Sequence, residues 1–141
     1  MRLFLILVLV LSTAAPTDAR DSRRIVGTVT HVRDGDTIEV DGLPIRLNGL
    51  HAPERREQGG SEARAWMVEH TRGRQVVCTL NGDKTHDRVV GTCANGEGDL
   101  SAQLIAAGLG RDCPRWSGGR YAHLERPAAA SMRLPRYCIP R

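Results

Sequence analysis

Asp41-Gly42 sits between two short segments of alternating apolar residues, and no other feature narrows the fold as far. A two-residue Asp-Gly loop accepts positive φ at both positions, and its twist matches that of a two-stranded antiparallel hairpin. Before it, Thr37-Ile38-Glu39-Val40 reads as a short strand. After it, Leu43 to Leu47 reads as the next, with Leu43, Ile45 and Leu47 on one face and Arg46 on the other. Ile25 to Val32 is rich in β-branched residues, with Val26, Thr28 and Thr30 on one face and Ile25 and Val29 on the other. Asp34-Gly35-Asp36 supplies the turn between this segment and Thr37. Three short strands joined by tight turns make a meander.

The chain then changes period. Asn48 to Gly60 is polar and carries Pro53 and Gly59-Gly60 as breakers. Ser61 is placed to cap a helix whose apolar stripe is Ala63, Trp66, Met67 and His70, ending near Gly73. Gln75 to Leu80 and Val89 to Ala94 read as strands, with Asn81-Gly82 turning the chain after the first. Asp99 caps a second helix running through Ala107, with Gly108 at the position where a left-handed residue ends a helix. Its expected buried stripe is Leu100, Leu104 and Ala107. From Arg111 onward, Pro114, Gly118-Gly119, Pro127, Pro135 and Pro140 break up the tail, and one helix over Tyr121 to Met132, interrupted at Pro127, is expected. Five strands with an intervening helix suit a five-stranded Greek-key barrel of the OB type with two to three helices, an α+β architecture, although element order alone admits other folds.

The 141 residues suffice for one domain. Arg2, the apolar run Leu3 to Leu11 and the tripeptide Thr17-Asp18-Ala19 read as a cleaved signal peptide over residues 1–19, with Ala14-Ala15 as a second cleavage candidate. That run is too short to cross a bilayer, which takes ~20 residues. The expectation is a secreted or periplasmic domain over 20–141, monomeric, off the membrane and without a stable protein partner. The four cysteines, Cys78, Cys93, Cys113 and Cys138, fit an oxidising compartment. They allow three pairings, of which chain order and the strand reading favour Cys78–Cys93 and Cys113–Cys138. No Cys-x-x-Cys pair points to zinc. The net charge of +4 favours a polyanionic partner.

Three clusters carry residue types suited to phosphodiester chemistry. Asp34-Gly35-Asp36-Thr37 places two carboxylates on one turn, the ligand type that hard cations take. Alone, it reads rather as a polar turn with Asx hydrogen bonds. In Arg46 to Glu54, the arginine points off the apolar face, where its planar fork can grip a phosphate. Glu54, stiffened by Pro53, is a candidate to take a proton from an attacking water. Lys84 to Arg88 precedes a strand and offers a second arginine against charge building on the phosphoryl oxygens. Each also reads as an ordinary charged loop. His31, His70, His86 and His123 show no metal-ligand spacing.

Taken in order, Asp34-Gly-Asp-Thr37, Arg46, Ala52-Pro-Glu54, Arg88 and Ala106-Ala-Gly-Leu109 resemble the staphylococcal nuclease (thermonuclease) family over roughly Ile25 to Gly110. The resemblance implies hydrolysis of DNA and RNA with Ca²⁺, leaving 3′-phosphate ends. It implies Asp36 as a metal ligand, Asp34 as an outer carboxylate, Arg46 and Arg88 on the scissile phosphate, and Glu54 as general base or water-positioning group. The family's second metal-binding aspartate falls at His51 here, a ligand better suited to Mn²⁺ or another transition metal than to Ca²⁺. His86-Asp87 stands where the family has Tyr-Gly. The family's tyrosine-bearing substrate wall has no clear counterpart, with Tyr121 and Trp116 as stand-ins. The leading expectation is therefore an exported, metal-dependent nuclease acting on nucleic acid without base specificity. The alternatives are an OB-fold module that binds nucleic acid or another polyanion without cutting it, and a scaffold protein of the cell envelope.

Overall fold

In the computed structural model, residues 22–141 are described, and the expected signal segment 1–19 lies outside them. Eight strands and three helices follow in order: β1 (Arg23–Asp34), β2 (Thr37–Val40), β3 (Leu43–Leu47), β4 (Leu50–His51), α1 (Gly60–Thr71), β5 (Gln75–Thr85), β6 (Arg88–Asn95), β7 (Gly98–Asp99), α2 (Leu100–Ala106), β8 (Arg111–Asp112) and α3 (Pro114–Ser117). Single 3₁₀ turns follow at Ala122–Leu124, Pro127–Ala129 and Arg136–Cys138. The architecture is α+β, built on a six-stranded sheet in the order β3-β2-β1-β5-β6-β7. All of its neighbours in that order are antiparallel, and β3 also pairs in parallel with β6, so the strand at one end of the order reaches back to the other side.

The meander forms as the Asp-Gly signal demands. Asp41 and Gly42 take φ of 48° and 83°, the left-handed pair of a tight hairpin turn, and Val40 faces Leu43 across it. Alternation then sorts the side chains: Val29, Val32, Ile38, Val40, Ile45 and Leu47 are buried, whereas Val26 is exposed. α1 lays Ala63 and Met67 into this core, and α2 adds Leu100, Leu104 and Ile105. In α1, Trp66 is only half-buried and stacks on His70, with ring centroids 3.8 Å apart. In α2, Ile105 is buried and Ala107 is exposed, because the helix ends at Ala106 and Ala107 is already its cap. The Asp99 carboxylate accepts from the Ser101 and Ala102 N–H groups at 2.8 and 3.3 Å, as its capping role requires.

Three local expectations are corrected. α1 begins at Gly60, capped by Gly59 at φ 85°, so Ser61 lies inside the helix. Asn81-Gly82 does not end β5: the strand runs on to Thr85 past a register shift between Leu80 and Lys84, and the chain turns at His86-Asp87. A bulge absorbs the glycine that the sequence offers as a turn. The helix expected over Tyr121 to Met132 is replaced by the separate short turns, because Pro127 withholds the N–H that a continuous helix needs.

Both disulfides are present. Cys78 and Cys93 are register partners on β5 and β6, with Cα atoms 4.0 Å apart, and Cys113 and Cys138 tie the start of α3 to the last 3₁₀ turn. Two bridges are consistent with an oxidising compartment. Among the described residues, no helix is long and apolar enough to cross a membrane.

Candidate functional site

The hydrogen bonding between β2 and β3 sets Thr37 opposite Arg46, and β3 in turn sets Arg46 opposite Val90 on β6. Arg46 is thereby fixed between two strands. Its guanidinium pairs with the Asp36 carboxylate at 2.9 Å and donates to the Leu47 carbonyl at 2.8 Å. Arg88, at the start of β6, donates to the Thr37 hydroxyl at 3.0 Å. Two arginines 42 positions apart thus converge on the adjacent residues Asp36 and Thr37. The turn carrying Arg88 is held from outside: Arg33 pairs with Asp87 at 2.7 Å and with Glu39 at 2.8 Å. Asp87, where the resembled family has glycine, is therefore an anchor for that turn.

Glu54 is exposed at the end of the β4 loop. Its backbone is pinned by α1, because Gly60 packs so closely that a Cβ there would run into the Glu54 carbonyl. Its N–H donates to the Glu57 carboxylate at 2.8 Å. Arg46, Glu54 and Arg88 line one cleft of about 730 Å³, together with Lys84, His86, Trp116 and Tyr137. A guanidinium pair, an ammonium group and an exposed carboxylate around one concavity can bind a phosphodiester and accept a proton beside it.

Asp36 and His51 lie differently. Asp36 is buried, and its oxygens are already committed: Oδ2 to Arg46 and the Ala52 N–H, Oδ1 to the Thr37 hydroxyl. Burial pushes its carboxyl up to about 7. Arg46 opposes the rise, and the nearby Asp34 carboxylate adds to it. Asp34 Oδ1 accepts the Asp36 N–H at 3.2 Å, which closes the turn. His51 is buried on β4, opposite Arg111 of β8, and lines a second pocket with Glu57, Glu62 and Arg133. Burial, then Arg46, lowers its pKa, which favours the neutral ring, and its Nδ1 has no hydrogen-bond partner.

Among the described residues, no group of three or more His, Cys, Asp and Glu side chains is arranged to hold a metal ion. As arranged, Asp36, Asp34 and His51 do not make a cation site. Asp36 faces a guanidinium, and His51 opens onto another pocket than the arginines do. Of the two expected aromatic stand-ins, Tyr121 is buried, with its hydroxyl on Asp99 at 2.6 Å, while Trp116 reaches the cleft. Tyr137 was not singled out in the sequence. The signal that finds it is the cysteine pairing, since Cys138 beside it and Cys113 near Trp116 form one bridge.

No family model matches the chain. It is 30% identical over 126 residues to "Succinoglycan biosynthesis protein ExoI" of Rhizobium meliloti, covering 81% of this chain and 65% of that protein. It is 36% identical over 78 residues to "Probable endonuclease LCL3" of Debaryomyces hansenii, covering 48% of this chain and 33% of that protein. The chain thus spans less than two thirds of the length of either relative. The two names differ, and the partial likeness to a protein named as an endonuclease supports a nuclease-like family for this chain and no particular reaction.

Proposed function

We propose that this protein is an exported nuclease of the staphylococcal nuclease type, hydrolysing phosphodiester bonds in the Arg46–Arg88 cleft of an OB-type barrel. The observation that carries the reading is the convergence of Arg46 and Arg88 on Asp36 and Thr37, with Glu54 lining the same cleft. The partial likeness to an endonuclease supports it. The arginines would grip the non-bridging phosphate oxygens and stabilise the charge that grows on them. Glu54 would take a proton from a water whose oxygen adds to phosphorus as the P–O ester bond breaks, and the departing oxygen would take a proton from solvent to leave as an alcohol. The pinned backbone of Glu54 limits how far that carboxylate wanders between turnovers.

A divalent cation is implied only by the resemblance, and no step here is routed through one, because the donor set present does not fit it. The test is cleavage of single-stranded DNA by the oxidised protein, run in EDTA and in Ca²⁺, Mg²⁺ and Mn²⁺, beside an Arg46→Ala variant. Cleavage that the variant loses supports the reading, and the metal arms report any cation requirement. A second reading, a polyanion-binding module that does not cut, is favoured by the Asp36–Arg46 ion pair, which ties up part of the guanidinium. Binding with no cleavage in any arm would select it.

A further inference from the structure

Breaking an ester bond to phosphorus calls for a proton donor as well as an acceptor. The departing oxygen leaves with the electron pair of the bond, and water is a weak acid to meet it. Of the five histidines, His86 alone lines the Arg46–Arg88 cleft, where Glu54 also stands. His51 opens onto the second pocket, and His70 stacks on Trp66, with its Nδ1 2.7 Å from the Trp66 carbonyl oxygen. An arginine holds its proton too tightly to give it up, and a lysine or tyrosine ordinarily releases its own only at about pH 10. Imidazole is the side chain whose ordinary range lies near neutrality, and the negative charge of a bound phosphodiester favours its protonated form.

The backbone holds His86 at the cleft. Thr85 and Arg88 are register partners on β5 and β6, so His86-Asp87 is the two-residue tip of their hairpin. His86 takes φ 55°, and Asp41 is the one other non-glycine residue with positive φ among those described. A side chain in that region carries a strain that glycine would avoid, and such a residue at the rim of a site points to a use for its side chain. The tip is fastened on both sides. The Asp87 carboxylate pairs with Arg33 at 2.7 Å, Arg88 donates to the Thr37 hydroxyl at 3.0 Å, and Arg88 Nε donates back across the turn to the Thr85 carbonyl at 3.5 Å. His86 itself is exposed. It comes from the β5–β6 hairpin, and Glu54 comes from the loop before α1. The attacking and departing oxygens lie roughly in line on opposite sides of the phosphorus, so an acceptor and a donor on separate segments suit the displacement.

We propose that His86 is the general acid of this cleft, giving its ring proton to the oxygen that departs from phosphorus in place of solvent. The proposal rests on the nuclease reading of the site. A water oxygen bonds to phosphorus while its proton passes to the Glu54 carboxylate. The bond from phosphorus to the ester oxygen breaks, and that oxygen takes the His86 proton and leaves as an alcohol. Glu54 is then protonated and His86 neutral. Glu54 returns its proton to solvent and His86 regains one before the next turnover. The sum is one water consumed and one phosphodiester divided into a phosphomonoester and an alcohol.

The experiment compares two departing groups, with the oxidised protein assayed in EDTA, Ca²⁺, Mg²⁺ and Mn²⁺. Single-stranded DNA releases an alkoxide that needs a proton. A 4-nitrophenyl phosphodiester of the thymidine 3′-oxygen releases 4-nitrophenolate, which leaves without one. His86→Asn is the first variant, because asparagine accepts the left-handed backbone of the turn. His86→Gly is the second and keeps the question answerable if the asparagine amide disturbs the cleft. Circular dichroism checks folding. Both variants are expected to lose about 10²-fold in kcat on DNA and less than about threefold on the nitrophenyl ester, whereas Arg46→Ala loses both activities. Added imidazole restores part of the DNA rate of His86→Gly. Equal losses on the two substrates, or no loss on DNA, overturn the general acid. If Arg46→Ala still abolishes cleavage in that case, the nuclease reading stands without it. A parent that cuts neither substrate in any arm removes the nuclease reading and the general acid together.

Discussion

Cys78–Cys93 and Cys113–Cys138 are the same bond in unlike surroundings. The first joins residues already opposite each other on β5 and β6, deep in the core and 15 apart in sequence. The second spans 25 residues of a tail with no long helix or strand of its own, containing only β8, α3 and three single turns. The region from Arg23 to Ala106 would keep its register by alternation and strand pairing with or without a bridge. The tail from Arg111 onward has few backbone ladders and is held instead by side-chain bonds, such as Arg111 to Glu125 and Tyr121 to Asp99, together with the covalent link. The lining of the cleft is divided along the same line, with Arg46, Glu54 and Arg88 on the first region and Trp116 and Tyr137 on the second. Side chains that must keep a fixed geometry are best held by a packed sheet. The rest of the lining can be fastened on afterwards.

Kinetics offers the largest test of that division. Arg46→Ala should lower kcat by about 10²–10³, the usual cost of one lost transition-state donor, and Glu54→Gln by about 10² or more. Trp116→Ala, which alters the cleft lining without removing a partner of either arginine, should instead raise KM more than it lowers kcat. Steady-state rates on single-stranded DNA decide this, with folding confirmed by circular dichroism. A loss in kcat from Trp116→Ala equal to that from Arg46→Ala would erase the distinction.

The same division explains what could be read from the residues alone. Asp41-Gly42 fixed one hairpin locally, and alternation through Ile45, Arg46 and Leu47 put Arg46 off the core face, so that half of the site was legible. Arg88 was found through its motif, but its partner, the Thr37 hydroxyl, depends on how β2 and β6 are brought together. The start of α1 at Gly60 was not readable, because the close approach to the Glu54 carbonyl that requires a glycine there is a tertiary contact. The extension of β5 past Gly82 was missed for a similar reason: pairing of Lys84 with Val89 and of Thr85 with Arg88 outweighs a local turn signal. Tyr137 lies 91 residues from Arg46, and in the sequence the cysteine pairing is the signal that points to its being near.

Removing each bridge in turn is the next largest effect. Cys78→Ala with Cys93→Ala should lower unfolding stability by about 2–5 kcal/mol, seen as a fall in Tm with activity retained below it. Cys113→Ala with Cys138→Ala should leave the sheet's far-ultraviolet signal in place and weaken binding of single-stranded oligothymidylate, because Trp116 and Tyr137 lose a fastening. If the second pair melts the sheet as readily as the first, the tail is part of the cooperative core and the contrast is wrong.

A smaller perturbation separates the bridge from its seat. Gly49 has φ 73°, and a Cβ there would lie 2.7 Å from the Ser117 Cβ and 3.0 Å from its Cα. Gly49→Ala therefore strains the turn and pushes α3 outward while both disulfides stay closed. The expected cost is about 1–3 kcal/mol in stability, with a several-fold rise in Kd for oligothymidylate. An unchanged Kd would mean that the bridge alone positions the rings.

The smallest expected effect lies inside the first region, in the pH dependence of stability. Asp36 titrates near 7 when folded against an ordinary value of 3.8, so between those values the folded chain holds a proton that the unfolded chain has released. That contribution is fully present below pH 3.8 and is lost as pH rises through about 7. His51 acts oppositely. Its folded pKa lies below the ordinary 6.5, so below that pH the unfolded chain takes up a proton that the folded chain refuses, and stability falls with acid. Just below pH 6.5 the two slopes oppose each other and flatten the parent's profile. His51→Gln removes one of them, and urea unfolding across this range should then show stability rising as pH falls. A variant whose profile matches the parent's would mean that His51 is already protonated in the fold, contrary to its burial beside Arg46.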